Sequence, residues 1–273
     1  MLIRVGYDII FDHPGPTPLI AMLYPHPSRA ASVRRGDHLL VEPATPVSEY
    51  TDAYGNRCGR LLAPPGPIRF WNDAVIEDSG LLDEQNPAAV QHEIHDLPDE
   101  TLTFLMPSRY CEVDLMVNLA WELFGDGPSG WARVQAICDF VHNHLRFDYM
   151  QARKTRTANE AYQEGVGVCR DFTHLAVTFC RCMNIPARYC TGYLGDIGVP
   201  AAPDPMDFSA WFEAYVGGRW YTFDPRHNAP RIGRILMAYG HDAADVALLT
   251  SFGPSRLDRF TVWTDEVRAD ALA

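Results

Sequence analysis

Short stretches in which apolar and polar residues alternate run through the first hundred or so positions of the chain. IRVGYDIIF and HLLVEP are examples, and Pro and Gly interrupt them at close intervals, as in HPGPTP, YPHPS and APPGP. A period of two is typical of strands with one buried face, and the frequent turn residues separate one strand from the next. The pattern predicts a β-sandwich-like domain over residues 1–105.

The hydrophobic period changes after that point. Apolar residues recur every three or four positions from Val113 to Leu123 and again from Trp131 to Leu145, which indicates two helices. Cys169 begins a third such run, and strands follow over 187–194, 211–216 and 219–223. We therefore predict an α+β fold, with a core domain over residues 106–273 behind the β-rich domain.

A glycine pair at 217–218, between two apolar runs, predicts a two-residue hairpin turn. Val216 then pairs with Arg219. Extending the register places Ser209 diagonally opposite Asp224 on one face of the sheet.

Composition and charge narrow the classes of function. The 273 residues are 47% hydrophobic, enough for sizeable cores, and the formal net charge of -12 argues against a nucleic-acid partner. No apolar run is long enough for a membrane span, and we expect a cytoplasmic protein. Seven irregularly spaced cysteines favour reduced thiols, and no ligand spacing predicts a metal or any other cofactor.

The stretch GVGVCRDFTHL, residues 165–175, presents Cys169 in the manner of a nucleophile. Gly165 and Gly167 allow backbone conformations and close contacts that other residues do not. The first turn of a helix leaves N–H groups unpaired, and these could hold an oxyanion. The helix dipole is expected to lower the pKa of the thiol. The alternative is that Cys169 is a small buried core residue.

GVGVCRDFTHL, IPARYCTGYL, DFSAWFEAYVGGRWYTFDPRHN and GHDAADVALLTSFG resemble segments of bacterial transglutaminase-like proteins, and with LTFLMPSRYC the resemblance covers most of the chain. It implies a papain-related α+β core behind a β-rich N-terminal region. It also implies a triad of a cysteine at a helix start, a histidine in a DxHAW-like segment and an aspartate in an FDP-like segment. Cys169 and Asp224 match the first and third positions, whereas Ser209 occupies the histidine position.

Serine at position 209 departs from that pattern. Its hydroxyl ionises far above pH 7, so it neither accepts a thiol proton nor stabilises a thiolate. Three explanations are open at this point: a natural loss of activity, an engineered substitution, or a base supplied by another histidine. His227 is the nearest such histidine in sequence, and His174 and His241 are weaker candidates.

The resemblance implies that Cys169 attacks an amide carbonyl of a peptide, protein or small amide. The resulting thioester would be resolved by water, as in a peptidase or amidase, or by an amine, as in an acyltransferase. Gln163 is the candidate oxyanion donor, and Trp211 and Trp220 are candidate groove residues. Because of Ser209, the alternative is a catalytically silent domain that binds a peptide or protein partner. Enzyme status, substrate and oligomeric state are open from the sequence.

Overall fold

The structure, a computed structural model, describes residues 1–36, 38–202 and 205–267. Its strands are β1 (Leu2–His13), β2 (Thr17–Ala21), β3 (Val33–Arg35), β4 (Leu40–Glu42), β5 (Ser48–Thr51), β6 (Arg57–Ala63), β7 (Gly66–Glu77), β8 (Arg146–Phe147), β9 (Val166–Gly167), β10 (Ala187–Tyr193), β11 (Ser209–Val216), β12 (Arg219–Phe223), β13 (Ile235–Gly240), β14 (Leu249–Ser251) and β15 (Arg256–Val267). Its α-helices are α1 (Asp99–Leu102), α2 (Val113–Phe124), α3 (Trp131–His144), α4 (Ala158–Glu164) and α5 (Cys169–Cys182).

Two antiparallel sheets form the β-rich unit. One has the order β15-β1-β7-β3, with β4 also paired to β7, and the other has the order β14-β2-β6-β5. Ile3, Val5, Tyr7 and Ile9 alternate along β1 into the shared core, where they join residues such as Leu61 of β6. The α+β fold and its N-terminal sandwich are confirmed.

The two C-terminal strands belong to this β-rich unit and not to the core domain. β15 pairs along nearly all of β1, from Leu2 opposite Val267 to Asp12 opposite Arg256, and β14 pairs with β2. The predicted domain of residues 106–273 therefore extends too far at its C-terminal end. Alternation of apolar and polar residues identifies a strand but not the strand it pairs with. Here the backbone N–H and C=O groups along the edge of β1 need hydrogen-bond partners, and β15 supplies them.

The core domain surrounds helix α5. Every residue of α5 from Asp171 to Cys182 is buried, because α2, α3 and α4 pack around it and strands β10 and β11 cover it. The strands form an antiparallel sheet in the order β12-β11-β10-β13. The three helical runs expected from sequence correspond to α2, α3 and α5.

The predicted register of the β11–β12 hairpin holds from its turn to the last hydrogen-bonded pair and no further. Val216 pairs with Arg219 as predicted, but the ladder ends where Phe212 pairs with Phe223. Residues 225–227 form a turn, since Pro225 cannot donate to a ladder. The β11–β12 ladder therefore ends before the register that would place Ser209 diagonally opposite Asp224; on its other side Ser209 pairs with Gly192 of β10.

A buried carboxylate fixes the start of α5 and therefore the position of Cys169. Asp171 accepts the Val168 N–H at 2.9 Å and an Arg156 N–H at 3.0 Å, and the side chains of Asp171 and Arg156 are 0% and 3% exposed. A Cβ at Gly167 would lie 2.6 Å from the Asp171 Cβ, so only glycine fits there. Gly165 has a φ of 63°, which also favours glycine.

Asp171→Ala is expected to lower the free energy of unfolding by about 3–5 kcal/mol, because it leaves the buried Arg156 guanidinium without one carboxylate and removes an acceptor from the helix start. Urea unfolding measures the change. Glu84→Gln is the matched control: its ion pair with Arg219 at 2.8 Å is exposed on both sides and should contribute less than about 1 kcal/mol. Equal effects of the two substitutions would contradict this role of Asp171.

Candidate active site

An open groove of about 840 Å³ contains Cys169 and Ser209. The groove is also lined by the loop 152–155, which precedes α4, and by residues 246–249, which lead into β14. Cys169 is half-buried at the first position of α5, whereas the other six cysteines are buried. The structure thus exposes to the groove the cysteine that the sequence singled out.

The Cys169 thiol is protonated at neutral pH. Burial raises its pKa to about 11, and the nearby charge of Asp207 acts in the same direction. Arg226 and the N–H groups of Ala210 and Arg170 favour the thiolate but do not outweigh burial. The N–H group of Arg170 at the helix start thus acts in the predicted direction, but the net pKa is raised. The sequence showed neither the desolvation of the thiol nor the charge of Asp207.

Ser209 lines the groove as a buried residue that carries no acid–base chemistry. Its Oγ has no hydrogen-bond partner among the described residues, while its carbonyl accepts from Thr191 Oγ1 at 3.2 Å. Family members have a histidine at this position of the DxHAW-like segment. In this chain the position carries serine, a small side chain in the same groove as the thiol.

The Asp224 carboxylate is buried and bound on several sides. Arg234 donates to it at 2.9 Å and His227 Nδ1 at 2.8 Å, and the backbone N–H groups of Arg226 and His227 donate at 3.1 Å. Burial alone would raise the pKa of Asp224, but the charge of Arg234 and the hydrogen bonds from His227 hold it well below its usual range. Asp224 is therefore a carboxylate at neutral pH that pairs with His227.

His227 does not line the groove that contains Cys169. Its ring lines a second, smaller cavity of about 60 Å³. Residues 207–209 line both cavities and so stand between them. The turn at Pro225 explains this placement, because it redirects the chain and brings the ring back onto Asp224.

The two weaker histidine candidates lie in other networks. His174 is buried inside α5, where its Nε2 accepts the Ala243 N–H at 3.1 Å and burial holds its pKa well below the usual range. His241 Nδ1 contacts Tyr54 and Asp245 at 2.7 and 2.9 Å.

The remaining candidate residues lie outside the groove lining. Gln163 is exposed on α4. Trp211 is buried beneath the Arg234 guanidinium, whose carbon lies 5.1 Å from the ring centre. Trp220 packs edge-on against Phe104.

Asp207 is the groove residue that the sequence reasoning missed. Its negative charge raises the pKa of Cys169, and it lines both cavities. A signal existed in the sequence: Asp207 stands two residues before Ser209, the position at which the resembling segment has a histidine.

Comparison with known proteins identifies the family. The model of the transglutaminase-like superfamily matches residues 118–225. A crystal structure from Cytophaga hutchinsonii, described as a candidate cysteine protease, superposes with a TM-score of 0.83 at 30% identity over 99% of this chain and 92% of that one. The chain belongs to the transglutaminase-like superfamily. An uncharacterized protein of Mycobacterium leprae is 26% identical over 216 residues, 76% of each chain.

Two further observations concern the transglutaminase-like chain as far as the structure describes it. None of its helices in residues 1–36, 38–202 and 205–267 has the length and apolar content to cross a membrane. Within the same ranges, no group of three or more His, Cys, Asp or Glu side chains is arranged to hold a metal ion.

Ser209→His is expected to lower the pH at which Cys169 becomes reactive, because an imidazolium beside the sulfur stabilises the thiolate. The rate of Cys169 alkylation by iodoacetamide, followed by mass spectrometry, should rise toward about pH 11 in the unmodified protein. In Ser209→His a reactive fraction should persist well below the ordinary thiol pKa of about 8.5.

Ser209→Asn is the matched control, because it adds a side chain of similar shape that does not ionise. Each substitution is expected to lower the free energy of unfolding by about 1–3 kcal/mol through overpacking. Identical pH profiles in the folded histidine and asparagine variants would show that position 209 does not face the thiol.

Proposed function

We propose that the protein is a cysteine-dependent acyl-transfer enzyme that attacks the amide carbonyl of a peptide, protein or small amide bound in the groove. The observation that carries the proposal is the placement of Cys169: it is the accessible thiol among seven, and it lies at the helix start in an open groove of about 840 Å³. A cleft of that size accommodates a small molecule or a short peptide segment.

The backbone around Cys169 supports formation of a tetrahedral intermediate. The N–H groups of Arg170 and Ala210 lie close enough to favour negative charge on the sulfur. Donors in such a position also stabilise the oxyanion that develops when a thiolate attacks a carbonyl carbon. The thioester that follows is resolved by water in an amidase or by an amine in an acyltransferase.

The groove combines apolar and basic side chains. Phe208, Leu248 and Leu249 offer apolar surface, and Arg153 and Lys154 add positive charge to a protein that is otherwise acidic. These features support a peptide substrate with apolar side chains and an acidic residue near the amide that reacts.

The free state of all seven cysteines supports a cytoplasmic location.

A specific observation favours a second candidate, a catalytically silent domain that binds a peptide or protein segment in the same groove. No imidazole lines the groove in the part of the chain that the structure describes, and the Cys169 thiol is protonated at neutral pH. A site of this kind would retain binding after losing turnover.

Acyl-enzyme trapping distinguishes the two functions. The protein is incubated with a pool of N-acetylated peptide p-nitroanilides, quenched in acid and analysed by intact and peptide mass spectrometry. The proposal predicts an acyl adduct on Cys169 and release of p-nitroaniline, because the thioester forms as the anilide leaves.

Cys169→Ala should reduce both signals to the solution background, and Cys58→Ala, which removes a buried thiol, should leave them unchanged. Saturable peptide binding without any adduct in the unmodified protein would favour the silent domain instead.

A further inference from the structure

We infer that Asp207 is the proton acceptor for Cys169, in the place where an imidazole would otherwise act. The inference rests on the proposed function and assigns the missing base of that reaction. Its basis is the arrangement of groups around the thiol.

Asp207 is the acidic group of the groove. Among the described residues that line it, the other ionisable side chains are basic, a thiol or a phenol, and Ser209 carries no base. Asp207 and Cys169 line the same groove, and the negative charge of Asp207 raises the pKa of the thiol. Asp207 precedes Ser209, the first residue of β11, by two positions, and both residues line the groove and the smaller cavity.

The surroundings of Asp207 suit a base. The Phe208 N–H donates to it at 2.6 Å, and Arg226 attracts its negative charge, but burial dominates and raises its pKa above the ordinary value. A carboxylate with a raised pKa is a stronger proton acceptor at neutral pH than an exposed one. The charged and titratable side chains that share its two cavities are Tyr149, Asp196, Arg226, His227 and Arg231 in the smaller cavity and Tyr110, Arg153, Lys154, Cys169, Arg170 and Tyr189 in the groove.

The proton and electron movements balance with this one group. The Asp207 carboxylate takes the proton from Cys169 Sγ as the sulfur forms a bond to the amide carbonyl carbon. The carboxylic acid then gives that proton to the amide nitrogen as the C–N bond breaks, which leaves a thioester and a free amine. Water or a second amine loses a proton to Asp207 as it attacks the thioester, and the departing thiolate takes the proton back.

Asp207→Asn and Asp207→Glu test the inference with two readouts, the rate of Cys169 acylation by the peptide p-nitroanilides and the pH profile of its alkylation by iodoacetamide. Asp207→Asn should slow acylation by about 100-fold or more, because a general base is lost. The same substitution should move alkylation to lower pH, because a negative charge beside the thiolate is removed. A purely structural role would not produce opposite changes in the two rates.

Asp207→Glu should restore part of the acylation rate, and it guards against a misfolded asparagine variant. Asp196→Asn, which removes a carboxylate that lines the smaller cavity but not the groove, is the control and should change neither readout. Acylation at the wild-type rate in Asp207→Asn, or an unchanged alkylation profile, would overturn the inference.

The outcomes separate the inference from the proposed function. If the unmodified protein forms no adduct at all, the proposed function fails and the inference with it. If the adduct forms equally fast in Asp207→Asn, only the inference fails. Loss of the adduct in His227→Ala but not in Asp207→Asn would assign the base to His227.

Discussion

The buried ion pair between Asp224 and Arg234 determines how the active region is arranged. Arg234 is 7% exposed and Asp224 is 1% exposed, and the guanidinium also binds Asp83 at 2.8 Å. Two charges taken out of water are tolerated only when each is paired and hydrogen-bonded. The pair therefore anchors the turn after β12, and with it His227, to the segments that carry Asp83 and Arg234.

This anchoring separates the two halves of the expected triad. Asp224 is bound by Arg234, His227 and backbone N–H groups, and no hydrogen bond joins it to the Ser209 hydroxyl, which has no partner among the described residues. Cys169 lies in the groove with Ser209 and Asp207, and residues 207–209 stand between it and the cavity of His227. The thiol is accessible, burial raises its pKa, and the carboxylate that shares its groove among the described residues is that of Asp207.

Much of this arrangement was predictable from local sequence. The helix that starts at Cys169, the glycines before it and the hairpin turn at 217–218 follow from short-range patterns, and the structure reproduces them. The pairing of β15 with β1, the burial that raises the pKa of Cys169 and the turn that brings His227 onto Asp224 were not predictable in this way. Each depends on groups that meet only in the folded chain, such as Asp207 and Cys169 in one groove and Arg234 bound to Asp224.

The histidine ring ¹⁵N spectrum, recorded before and after alkylation of Cys169, tests the central claim most directly. The His227 signals are assigned by comparison with His227→Gln. Since a carboxylate only accepts hydrogen bonds, His227 should carry a proton on the Nδ1 that faces Asp224. The account predicts that its ring signals keep their positions when Cys169 is alkylated. A displacement of those signals on alkylation, as expected for an imidazole that loses a thiolate partner, would contradict it.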